Sequence, residues 1–192
     1  MRYVFCPGTA LVFDVGGPYG PTVARSLEAF TAHVSARLPH CRRATLLAVR
    51  PAPGVSLVPE AWLASYSFPT AAPTSCCYLS PREAICFIPA AGESDLPWHE
   101  GCGGLWYGRA AYPADALSAQ GLIRKARLLA ELALETGRPR LDAAGVEGEI
   151  IGLREELGRL VIRGYALTSP EVAALSRVLD AFVLAAQRLK ES

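Results

Sequence analysis

Two apolar stripes near the end of this 192-residue chain constrain its folding more tightly than any other feature. Val146, Ile150, Leu153, Leu157 and Leu160 recur at 4-3-4-3 spacing, which lines one face of a helix from about 146 to 163. Val172, Leu175, Leu179, Phe182, Ala186 and Leu189 recur at 3-4-3-4-3 and line a second helix, over 169–189. Between them, Gly164 suits a helix C-terminus. Thr168-Ser169-Pro170-Glu171 then supplies a capping hydroxyl, a proline for the first turn and a glutamate, with either Thr168 or Ser169 as the cap. Two such helices joined by a short connection predict an antiparallel hairpin over 146–192. A lone pair of helices has little core, so its stability must draw on self-association into a homodimer or on the preceding helix.

The second stripe also positions a carboxylate. Asp180 follows the seam residue Leu179, so it lies about 100° round the helix from it, on the flank of the seam. Ser176 stands four residues earlier on the same flank, and Arg177 lies nearby toward solvent.

In spacing and motif this segment resembles the small aspartyl-phosphate phosphatases that regulate sporulation, the stage-zero sporulation protein E family. Members are two-helix hairpins whose second helix carries a signature of the form Ser-Gln-Glu-Leu-Asp. Ser176, Leu179 and Asp180 match it, and Ser169-Pro170-Glu171-Val172 and Leu175 are in family style. Arg177 stands where glutamine is usual, and Val178 where glutamate is usual. The resemblance implies an enzyme that removes the phosphoryl group from the aspartate of a phosphorylated sporulation response regulator, and so restrains sporulation. Asp180 would be catalytic, with Ser176, Arg177 and Leu179 in the partner-binding surface. The chain would need no metal or cofactor of its own, since the Mg²⁺ belongs to the regulator. Asp180 would either orient and partly deprotonate the attacking water or disturb that Mg²⁺.

The first 110 residues contrast with this. They carry 15 of the charged residues and 12 of the prolines, whereas residues 111–192 carry 22 and 3. All six cysteines and all three histidines precede residue 103. Strands are expected at 9–15, 44–49, 76–79 and 84–88, and helices at 22–38 and 117–136, with a linker over 137–145. The expected architecture is therefore mainly α in the C-terminal part, a two-helix hairpin preceded by either an α+β unit or a poorly ordered region over 1–110. Val146 would also make a natural start for a family-sized protein, which would leave 1–145 as an extension.

Other sites in this region carry weak signals. Gly16-Gly17-Pro18-Tyr19-Gly20 lacks both phosphate-loop spacings and reads as a turn. The set His40, Cys41, Cys76, Cys77, Cys86, His99 and Cys102 has no C-x₂-C pair, which argues against zinc. His99 and Cys102 are close in sequence, which is no sign of a catalytic pair. A net charge of +1 gives no bulk attraction to nucleic acid or anionic membrane, and no run reaches the ~20 apolar residues of a membrane helix. These features predict a cytoplasmic protein with reduced cysteines. Three functions remain open: the phosphatase, a non-catalytic helical-hairpin module for docking or dimerisation, and an enzyme sited in residues 1–110.

Overall fold

The computed structural model describes residues 10–14, 21–55, 74–80, 82–89 and 104–191. Its centre is a mixed β-sheet, not a helical hairpin. Five strands of five to eight residues, β1 (Ala10–Asp14), β2 (Ala44–Pro51), β3 (Thr74–Ser80), β4 (Glu83–Pro89) and β5 (Leu105–Tyr112), are joined by the two-residue β6 (Arg140–Leu141). The order is β1-β3-β4-β2-β5-β6. Neighbours from β3 to β5 are antiparallel, and the edge strands β1 and β6 pair in parallel with β3 and β5. The expectation of an architecture mainly α in its C-terminal part, with a two-helix hairpin as the defining fold, is thus overturned by a mixed sheet with four helices, and the described part of the N-terminal region is built around that sheet.

The sparse charge of that region has a structural cause. Ala44, Leu46 and Ala48 of β2 face one way with Ile85 and Phe87 of β4 and Cys77 and Leu79 of β3. Thr45, Leu47, Val49, Ala84, Cys86 and Ile88 face the other way and are buried as well. A sheet buried on both faces needs apolar residues at nearly every position, so its strands lack the alternation of a half-exposed sheet.

Helices α1 (Pro21–Arg37) and α2 (Ala119–Thr136) cover the first face. Phe30, Val34 and Leu38 close it from the α1 side, and Ala119, Leu122, Ile123, Ala126 and Ala130 from α2. Ser118 caps α2 by accepting a hydrogen bond from the Gly121 N–H at 3.0 Å, and Gly137 ends it at φ +69°. Where α2 crosses β5, Gly108 leaves no room for a side chain. A Cβ there would run into the backbone oxygen of Ala126 and the backbone nitrogen of Ala130.

Polar contacts tie the same elements together. Glu83 at the start of β4 accepts two hydrogen bonds from Arg127 of α2, at 2.7 and 3.0 Å, and a longer one from Arg50 of β2 at 3.5 Å. The fork of Arg127 thus meets the carboxylate on both oxygens, the stronger arrangement for such a pair.

The last two helices are α3 (Ala143–Ile162) and α4 (Pro170–Lys190), which pack against each other as an antiparallel pair. Helix α3 starts at Ala143, upstream of Val146. Asp142 caps it through Oδ1, accepting from the Gly145 N–H at 2.7 Å, while its Oδ2 meets the guanidinium of Arg109 on β5 at 3.3 Å. One side chain therefore both begins the hairpin and fastens it to the sheet. Helix α4 also packs on α2, where Leu129, Leu132 and Ala133 join Val146, Leu153, Phe182, Ala185 and Leu189 in a second core.

Two outcomes test this packing. Gly108→Ala forces α2 off the sheet against helix backbone that cannot rotate aside, and should cost about 3 kcal/mol or more, read as a lower urea midpoint. An unchanged midpoint would mean that α2 is not seated on β5. Glu83→Ala strands two guanidiniums in a partly buried site and should cost about 2 kcal/mol, after allowance for the exposure of Arg127. Measured against it, Arg82→Ala on the exposed neighbouring turn should change stability by less than about 0.5 kcal/mol.

Candidate functional site

The hairpin is closed at its tip by backbone geometry. Gly164 takes φ +87°, and Tyr165 N–H reaches back to the Leu160 carbonyl at 3.1 Å, which satisfies the end of α3. Of the two candidate caps for α4, Ser169 is the one used, accepting from the Val172 N–H at 3.4 Å, with Pro170 in the first turn.

The candidate carboxylate is turned farther out than its sequence neighbours suggest. The buried centre of α4 is Phe182, with Ala185 and Leu189, because α4 meets α2 as well as α3. Asp180 stands two residues before Phe182, about 160° round the helix from it. It is therefore on the outward face, not on the flank of the seam, and it is exposed. Among the described residues it forms no hydrogen bond or ion pair. Leu184, 53 % exposed, lies one turn further along the same face.

The other signature residues divide. Ser176 is half-buried, at the edge of the outward face. Arg177 is exposed, but its Nε donates to the Ala173 carbonyl at 3.2 Å, so its stem lies back along the helix. Leu179 and Val178 are half-buried and pack against the core that α2 shares with the hairpin. That packing favours an apolar residue at 178. A glutamate there would bring a charge against the apolar surface of α2, at a desolvation cost.

A second concave region lies apart from these residues. A groove of about 830 Å³ runs between α1 and α2 and is lined by Glu28, Arg50, Arg124, Arg127 and Glu131, with Arg188 reaching it from α4. Its charges are mixed, and Arg50 and Arg127 are engaged with Glu83. Sequence reasoning missed it because its residues come from three helices and a strand, with no local spacing to reveal them.

The cysteines do not form a reactive centre among the described residues. Cys77 is fully buried on the helix-covered face, and burial, followed by the Glu83 carboxylate, pushes its thiol up to about 12. Such a thiol stays protonated and is a poor nucleophile at neutral pH. Cys41 is half-buried, and burial raises its pKa too. Cys86, on the other face of the sheet, is disulfide-bonded, which corrects the expectation that all six cysteines are reduced. Among the described residues no three of His, Cys, Asp and Glu come together in a group that could hold a metal. The glycine turn at 16–20 and the His99 and Cys102 pair lie outside the described residues. No helix among the described residues is long and apolar enough to cross a membrane. Comparison of the chain with protein-family models, with curated proteins and with solved structures finds no match.

Proposed function

We propose that this protein is an aspartyl-phosphate phosphatase that acts on a phosphorylated sporulation response regulator in the cytoplasm, with Asp180 as its catalytic residue. One observation carries the reading. Asp180 is an exposed carboxylate without a partner among the described residues, at the middle of the outward face of a helix whose other side is locked into the protein. A rigid helix can push such a group into a partner's pocket at little cost in side-chain freedom.

The chemistry asks little more of the chain. Water attacks phosphorus in line with the acyl oxygen, the P–O bond to the regulator's aspartate breaks, and inorganic phosphate and a free carboxylate result. Asp180 orients the water and accepts its proton as the new bond forms. The charge on the leaving carboxylate would be met by Mg²⁺ held by the regulator, not by this chain. Arg177 and the half-buried Ser176 border Asp180 and would contact the regulator, while Leu179 supports the helix from inside.

A second reading, a non-catalytic docking hairpin, draws on a different observation. Near the tip Ile162 is 86 % and Leu167 75 % exposed, which is unusual for large apolar side chains on a helix pair that needs no partner.

The two readings separate on one substitution. Asp180→Asn should keep stability within about 0.5 kcal/mol, since the side chain is exposed. In a single-turnover assay with the phosphorylated regulator, it should slow phosphate release by about 100-fold or more, because an amide accepts no proton. Glu171→Gln, in the first turn of α4 and away from the proposed chemistry, serves as the control and should keep the rate. A full rate with Asp180→Asn removes the catalytic assignment of Asp180, and no phosphate release by the unmodified chain leaves the docking reading in its place.

A further inference from the structure

Helix α3 has an outward face as well, and its chemistry is unlike that of an ordinary solvated surface. Opposite the seam residues Val146, Leu153 and Leu157 run Gly148, Ile151, Gly152, Glu155, Arg159 and Ile162, all exposed. Ile151 is 59 % and Ile162 86 % exposed. The face that points away from a protein's core is normally its charged face. Here four charges flank it, Glu147 and Arg154 along one side and Glu156 and Arg163 along the other, and within it two isoleucines and two glycines stand beside Glu155 and Arg159. Exposed isoleucines inside a charged rim suit a protein interface.

The occupant follows from the two charges left within the stripe. Glu155 and Arg159 are one turn apart, so the stripe carries one acid and one base. Laid parallel on a copy of itself, it would set Glu155 against Glu155. Laid antiparallel about a two-fold axis at the level of Leu157, it sets each Glu155 opposite Arg159 of the other copy. The same register brings each Ile162 over Gly152 of the other copy. At Gly148, Gly152 and Gly158 an added Cβ would meet nothing within 4 Å, so the bare backbone there is open to close approach by another chain. Charge pairing and the open backbone at Gly152 thus agree on this register.

We propose that the outward face of α3 is a self-association surface, through which two copies of this chain pair antiparallel as an isologous dimer. Contact runs along about 15 Å of helix, from Gly152 to Ile162. It is smaller than the ~1,600 Å² of a standard interface, so the dimer dissociates in the micromolar range. The proposal is independent of the phosphatase reading, because Asp180 takes no part in it.

Sedimentation velocity of the full chain, from about 1 to about 300 µM, tests it across that range. The expected result is a concentration-dependent shift to the mass of two chains, kept in Asp180→Asn. Ile162→Arg should weaken association at least about tenfold by placing a charge in the centre of the contact. Gly152→Leu should do the same by holding the two backbones apart, and its Cβ meets nothing within 4 Å in the monomer, so helicity and melting temperature should not fall. Glu155→Arg alone should weaken the dimer, and the double variant Glu155→Arg with Arg159→Glu should restore it. A monomer at every concentration overturns the proposal, whether or not another protein binds this face. So does a dimer that survives both Ile162→Arg and Gly152→Leu, because it must then use a different surface.

Discussion

The seating of α2 on β5 is the constraint on which the rest of this structure depends. Gly108 lets the helix backbone come down onto the strand, closer than any side chain would allow. From that position α2 serves two cores at once. Its Ala119, Leu122, Ile123, Ala126 and Ala130 close the helix-covered face of the sheet, and its Leu129, Leu132 and Ala133 provide the floor for the hairpin. A helix pair that would be marginal alone acquires a third helix and, through Asp142 and Arg109, a fastening to the sheet. The hairpin is therefore an outgrowth of the α/β body and shares its stability.

This third contact also decides how α4 is rotated. A helix that packed on α3 alone would centre its burial on the Leu175, Leu179 and Ala186 stripe. Packing on α2 as well moves that centre to Phe182, Ala185 and Leu189. The rotation draws Val178 inward and carries Asp180 to the outermost line of the helix. The same contact thus accounts for an apolar residue at 178 and for the exposure of the carboxylate two positions later.

The two hairpin helices were legible in the sequence because each buries one narrow stripe, so period 3.6 survives in the residue pattern. Their caps were legible too, since capping is local chemistry: Ser169, Pro170 and Gly164 act within a few residues of where they stand. The sheet was legible only in pieces. Segments near β2, β3 and β4 stand out as apolar runs, but burial on both faces removes the alternation that would have joined them into a sheet. Strand β5 was hidden by its own sequence. Gly108 and Arg109 interrupt Leu105–Tyr112, and each has a purpose visible only in three dimensions, one as the seat of α2 and the other as the partner of Asp142. The low charge of the described strands reflects how little of that sheet meets water. The rotation of α4 was not legible either, because it is set by α2, which ends at Thr136, well before α4 begins at Pro170.

The hairpin ends with two outward faces of different character, and their separation follows from its packing. Helices α3 and α4 turn their seams toward each other, so their outer faces point apart. One offers an acid with Arg177 and Leu184 beside it; the other offers isoleucines, bare glycine backbone and a self-complementary pair of charges. A dimer formed through α3 would leave α4 of each copy on the outside, where each Asp180 could meet a regulator without competing for the dimer surface. Pairing would also cover Ile162, which is 86 % exposed in the monomer. The catalytic and self-association proposals thus use opposite sides of one element, and neither takes surface from the other.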